Sequence, residues 1–333
     1  HSAYDACWQQ PDQGVMQGLL PSFDSQSNFA TRQAIQKVIE ATVSAVPGLL
    51  IGSADLTGNT GVKVGGQSPH AKNAPEGRQI YFGIREHAMG SALVGMALHG
   101  GVVPVGGTFF VFADYMRPAI RLAALSKAHC IFVFSHDSVG VGEDGPTHQP
   151  VEHLASLRSI PGLQVIRPAD SNETSLAWLA ALEFDGPTAL ILSRQNLPLL
   201  SDGTAVVHGA EEVFRSGNNP VATLIGTGSE VSLCVTASKR LHESGIETRV
   251  VSMPSWDRFE AASVEHRQSV LPAGSAIVSV EAASTFGLYR YTHFNVGIDR
   301  FGTSAPGSVA MDSLGINVNN VVETVKKAIA ANA

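Results

Sequence analysis

Short apolar runs alternate with longer helical patterns along most of this chain, and each run empties into polar or glycine-rich residues. That alternation constrains the fold most, because a run such as His129 to Phe134, apolar at nearly every position, suits a parallel strand covered on both faces. Leu49 to Asp55, Gln79 to Phe82, Val102 to Val105, Gln164 to Ile166 and Thr188 to Leu192 read as further strands. Helical patterns separate them, from Ala34 to Val43, Ala88 to Leu98, Arg117 to Ser126, Val151 to Ser159 and Ser171 to Glu183. We therefore expect an α/β fold, a doubly wound, mainly parallel sheet domain at 25–200, followed by a smaller α/β C-terminal domain at 218–333. Residues 1–24 and 201–217, polar and broken by Gly and Pro, read as linkers.

Open sheets of this kind bind ligands beyond the carboxyl ends of their strands. Asp55, Glu86, the aromatic turn Phe109 to Tyr115, the loop His136 to His148 and Arg194 all follow strands, which puts them on one face. Glu86 opens a small-residue helix, either as a functional carboxylate or as one that complements the helix dipole; Asp55 is open to the same two readings. His136, Asp144 and His148 share a polar glycine-rich loop. They suit a polyhydroxylated ligand, a metal or a structural loop, and their spacing matches no common zinc pattern. Asp144-Gly145 followed by Asn172 imitates a diphosphate–magnesium motif, but Glu143 stands where the leading Gly belongs, and we assign no metal ligand. Arg32 and Arg194 read singly as solvated and together as a phosphate grip. Phe109, Phe112 and Tyr115, spaced i, i+3, i+6, are either a helix's core face or a stacking surface for a flat heterocycle.

A formal net charge of −7 argues against nucleic-acid and anionic-membrane partners. No apolar run reaches the ~18 residues of a spanning helix. Cys7, Cys130 and Cys234 are far apart and in no CxxC pattern, so we expect reduced thiols and a cytoplasmic location. The start at His1 lacks Met and a signal pattern, as expected of an internal or processed start in a larger protein.

The runs GSADLT (52–57), FGIREHAMG (82–90), GGTFFVFADY (106–115), HDSVGVGEDGPTHQP (136–150), RPAD (167–170) and LSRQNLP (192–198) resemble transketolase, a thiamine-diphosphate enzyme. SVEAAS (279–284) and DRFGTSAPG (299–307) continue the resemblance, which covers about 25–333. It implies transfer of a two-carbon ketol unit from a ketose phosphate to an aldose phosphate. By the same resemblance Glu86 contacts N1′ of the cofactor's aminopyrimidine and promotes the tautomer that yields the reactive ylid. Phe112 stacks on the pyrimidine, with Phe109 and Tyr115 lining the pocket and Asp55 near the cofactor. Arg32, His136 and Arg194 bind the sugar phosphate, and Asp144 and His148 read its hydroxyls, which makes Glu86 and His148 the expected catalytic pair. Asn59 stands where the family often has a phosphate-holding serine, and Leu288 where an aromatic is common.

Family members are usually about twice this long, and the diphosphate- and metal-binding domain has no counterpart here. The resemblance therefore implies the pyrimidine end of thiamine diphosphate only, with Mg2+ or Ca2+ held by the missing domain or subunit. That part would come from a split subunit or from the rest of a cleaved chain, and a homodimer or a two-plus-two assembly is expected. The alternatives are the β subunit of a 2-oxo acid dehydrogenase, which would lack the phosphosugar set of Arg32, His136 and Arg194, and a non-catalytic assembly module.

Overall fold

A computed structural model describes residues 2–9, 11–24 and 26–332. The strands of the first domain are β1 (Asn28–Phe29), β2 (Leu49–Ser53), β3 (Gln79–Tyr81), β4 (Val103–Phe109), β5 (Ile131–Ser135), β6 (Gln164–Ile166), β7 (Thr188–Leu192) and β8 (Leu197–Pro198). Six of them form one parallel sheet in the order β3-β2-β4-β5-β7-β6. Alternate residues of the central strands enter different cores, which is why those strands are apolar throughout. Ile131 and Val133 join Ile35, Ile39 and Trp178 on one side, while Phe132 and Phe134 join Met89, Leu93 and Met116 on the other. The chain turns one way from β2 to β3 and the other way from β4 to β5, so the switch point lies beyond the carboxyl ends of β2 and β4.

The second domain contributes β9 (Glu211–Ser216), β10 (Ala222–Gly226), β11 (Thr248–Ser252), β12 (Ala276–Val280) and β13 (Phe294–Val296). They are ordered β13-β12-β10-β11-β9, with only β9 antiparallel. This is the α/β architecture expected, a six-stranded parallel sheet followed by a smaller mixed one.

Two stretches expected as linkers carry structure. Within 1–24 lie helices Ser2–Cys7 and Gln13–Leu19. Asp12 caps the second by accepting from Val15 N at 3.0 Å, and Met16 is fully buried in the first core. Within 201–217 lie helix Ala205–His208 and β9, the edge strand of the second sheet. The helices Trp256–Ala261 and Gly307–Ser313 and the strand β13 were not expected either.

The two domains meet through buried charge. Arg167, fully buried, donates through Nε to Asp137 Oδ2 at 3.0 Å and through Nη1 to the Thr227 carbonyl at 3.0 Å and to Glu230. Arg158 forms a bidentate pair with Glu281 at 2.9 and 2.8 Å, and its guanidinium lies 4.0 Å from the Trp256 ring. Burial works against charge on Arg167, but the surrounding carboxylates prevail and its pKa rises. The Gly226-Thr227-Gly228-Ser229-Glu230 turn thus serves this interface. Gly228 has φ +53°, and a Cβ there would stand 2.7 Å from the Arg167 guanidinium.

Candidate functional site

Arg32 and Arg194 are far apart in sequence, and short-range hydrogen bonds bring their segments together. Thr31, at the start of helix Thr31–Thr42, donates its N–H to Ser193 Oγ at 3.0 Å and accepts from Ser193 N at 2.7 Å. Ser193 directly follows β7, and β1 pairs antiparallel with β8 just beyond it. The helix start is therefore latched to the strand end, and the two arginines follow the latch residues. Their charges act on one another: burial, then Arg194, lowers the Arg32 pKa.

His136 completes this cationic corner. It follows β5, is 4% exposed, and adopts φ +62°, a strained conformation for a residue with a Cβ. Its Nδ1 lies 2.8 Å from Ser135 Oγ, and its ring centroid is 3.7 Å from that of Phe109. Burial is the largest cause holding the imidazole down at a pKa of about 3, followed by the charges of Arg32, Arg194 and His148. His136 is thus a neutral donor–acceptor beside two guanidinium groups. Arg32 Nη1 donates to the Asn59 carbonyl at 2.9 Å, and Ser135 Oγ donates to the same oxygen at 3.2 Å. Asn59 therefore shapes the corner through its backbone, while Arg32 Nε is buried without a hydrogen bond.

The aromatic turn lines the next sector. Phe109 ends β4, Phe110–Phe112 form a 3-10 turn, and helix Ala113–Leu125 follows. The Phe109 and Phe112 rings are stacked with centroids 5.9 Å apart; Tyr115 lies 5.9 Å beyond Phe112, and the His148 ring meets Phe112 edge-on at 5.4 Å. Tyr115 is 66% exposed and Phe112 is half-buried, which rules out the core-face reading of this spacing. Glu86 is the first residue of helix Glu86–His99 and is buried. Asp55, exposed with φ +64°, follows β2 at the switch point.

The loop holding His136, Asp144 and His148 is set by a residue that sequence reasoning missed. Gln149 Nε2 donates to the carbonyls of Val139 at 3.2 Å, Gly142 at 2.9 Å and, across the domain boundary, Thr303 at 2.9 Å. Ser304 Oγ donates to the Glu143 carbonyl at 2.5 Å. At Gly307 an added Cβ would lie 2.5 Å from the Gly140 carbonyl oxygen, so only glycine lets the second domain approach the loop this closely. His148 is half-buried, with Nδ1 3.0 Å from Thr147 Oγ1, and Asp144 is exposed on the same loop. A cleft of about 550 Å³ runs from Arg194 and Gly140 to Ser229 and Gly307 between the domains.

The arrangement offers a cationic corner, flat rings and a buried carboxylate at neighbouring strand ends. Comparison with known proteins is consistent with it. A family model described as "Transketolase, pyrimidine binding domain" matches residues 27–199, and one described as "Transketolase-like TK C-terminal domain" matches 207–317. A transketolase from Geobacillus stearothermophilus is 49% identical over 318 residues, covering 92% of this chain and 48% of that protein. The solved transketolase from Leishmania mexicana superposes with TM-score 0.95 at 43% identity, covering 99% of this chain and 49% of that one. A Pichia stipitis transketolase, solved in complex with sedoheptulose-7-phosphate, superposes with TM-score 0.95 at 38% identity, covering 99% and 50%. The chain spans about half the length of the curated relatives it matches.

Proposed function

The chain belongs to the transketolase family, and on that premise we propose that its pyrimidine-binding and C-terminal half works with a diphosphate-binding domain. Together they would transfer a two-carbon ketol unit between a ketose phosphate and an aldose phosphate. One observation carries the phosphosugar reading. Arg32, His136 and Arg194 converge from three elements, and among the described residues no carboxylate forms an ion pair with either arginine. A phosphate monoester would supply the missing negative charge and the acceptors for Arg32 and the imidazole. The sugar phosphate bound in the Pichia stipitis relative supports this choice. A 2-oxo acid dehydrogenase subunit would have no use for such a corner.

Thiamine diphosphate fits the neighbouring groups through its pyrimidine end, because Phe112 and Tyr115 present ring surface and Glu86 is a buried carboxylate without a side-chain hydrogen bond among the described residues. When bound, that cofactor supplies the carbon nucleophile that takes up the ketol unit. Glu86 holds or moves a proton at the pyrimidine ring nitrogen, Phe112 stacks on the ring, and Phe109 and Tyr115 close the pocket around it, with Asp55 at its edge. Asp144 and His148, held by Gln149, would hydrogen-bond the substrate's hydroxyls. The metal ion, Mg2+ or Ca2+, would be held by the diphosphate domain.

The exposed side of helix Glu86–His99 includes the small Ala88, Ser91 and Gly95 and the apolar Leu98, and Tyr81, Ile84 and Leu98 are more than half exposed. Such a face beside Glu86 suits cover by a further protein surface, as in a homodimer or a two-plus-two assembly. No helix of the described residues is long and apolar enough to cross a membrane, and the buried Cys130 and Cys234 thiols suit a reducing, cytoplasmic setting.

In the assembled enzyme, Glu86→Gln is expected to keep thiamine diphosphate binding and to abolish ketol transfer from xylulose 5-phosphate to ribose 5-phosphate. Wild-type turnover in that variant would overturn the assignment.

A further inference from the structure

Away from the sugar-phosphate corner, Asp114, Glu152 and His153 converge where two segments cross. Asp114 lies in the first turn of helix Ala113–Leu125, and Glu152 caps helix His153–Arg158. One nitrogen of His153 and one oxygen from each carboxylate lie within 4.8 Å of one another. His153 is 4% exposed, yet neither ring nitrogen has a hydrogen bond of acceptable geometry. Asp114 Oδ2 approaches Nε2 to 3.2 Å and Glu152 Oε2 approaches Nδ1 to 3.8 Å, while both acids are largely exposed at their outer edges. Among the described residues neither acid has a Lys or Arg nitrogen within ion-pair distance. The nearby Arg117 donates instead to the Ser156 carbonyl at 3.1 Å, tying the same two helices together one turn further on.

A buried imidazole facing two carboxylates that no basic side chain neutralises is the donor set of a borderline divalent cation. Bonds of about 2.0–2.2 Å in a tetrahedral shell place ligand atoms roughly 3.3–3.6 Å apart, close to the 3.2 Å between His153 Nε2 and Asp114 Oδ2; the exposed Glu152 side chain, now facing Nδ1 at 3.8 Å, would turn toward Nε2 to complete the shell. We infer that Asp114, Glu152 and His153 form a zinc-type divalent cation site with water as the fourth ligand, joining the aromatic-turn helix to the helix after the His136–His148 loop. Imidazole favours zinc or cobalt over magnesium and calcium, which prefer all-oxygen shells.

The test uses the assembled enzyme, stripped with chelator and held in excess magnesium and thiamine diphosphate so that the cofactor site stays filled. Zinc is titrated calorimetrically into the parent, His153→Gln and the double variant Asp114→Asn/Glu152→Gln. The double variant changes only solvent-reachable side chains, so its fold is not at risk. One zinc equivalent per chain present in the parent and lost in both variants is the expected result. Cobalt in place of zinc should give the parent alone an added visible absorption of a four-coordinate N/O site. Equal zinc stoichiometry and affinity in the parent and the double variant, or no zinc equivalent in the parent, would overturn the inference.

Discussion

At the scale of single residues, the site joins groups that are individually unremarkable. Arg32 and Arg194 could be read as a phosphate grip, but nothing local indicates that they meet, because the Thr31–Ser193 latch that joins them spans 162 positions. His136 was legible as a loop imidazole, while its strained backbone and its place against Phe109 emerged only from the packing of β4 on β5. Its protonation has a definite consequence. The folded-state pKa near 3 lies below the ordinary 6.5, so between these values the unfolded chain binds a proton that the folded chain refuses. The stability contributed by keeping this ring neutral is therefore complete above about pH 6.5 and is lost as pH falls toward 3. His136→Asn, neutral and tolerant of positive φ, is expected to lose less stability than the parent between pH 7 and pH 4, as read from urea midpoints at each pH. Nitrogen-15 spectra of the parent should show an uncharged His136 ring at pH 5.

Among the elements, the parallel strands and their helices were legible because continuous apolar runs and helical spacing are strong signals. Glu211–Ser216 escaped because a half-exposed antiparallel edge strand reading Glu-Glu-Val-Phe-Arg-Ser lacks such a run. Gln13–Leu19 escaped because Gly14 and Gly18 weaken helix propensity, and burial of Met16 overrides them. The loop from His136 to Pro150 was conspicuous in sequence, but its support was not. The two N–H groups of Gln149 are shared among three carbonyls in both domains. Gln149→Leu, similar in size, leaves those carbonyls without their donor, and a cost of roughly 2 kcal/mol or more is expected. In the assembled enzyme KM for the ketose phosphate should rise more than kcat falls, because Asp144 and His148, proposed to read the substrate's hydroxyls, lose their register while Glu86 does not. Steady-state kinetics and a thermal melt check both parts.

For the molecule as a whole, the family resemblance covered nearly the whole chain and carried the α/β fold class with it, yet RPAD carried no role until Arg167 was seen at the domain boundary. Arg167→Met leaves Asp137 and Glu230 buried without their cation, at an expected cost of about 3–5 kcal/mol. Urea unfolding is then expected to separate the two domain transitions further than in the parent, with limited proteolysis opening the segment between the domains. The same boundary bears on how the domains find each other during folding. Before they dock, the first domain offers the Arg158 guanidinium and an Arg167 already paired with Asp137, and the second offers the Glu230 and Glu281 carboxylates. Opposite charges speed the encounter and set its register, whereas two copies of either surface repel. Desolvating these groups is tolerable only when every partner is in place, so mismatched docking is rejected before it locks. On this reasoning the buried ion pairs would select the correct docking, and added salt is expected to slow domain association in stopped-flow refolding.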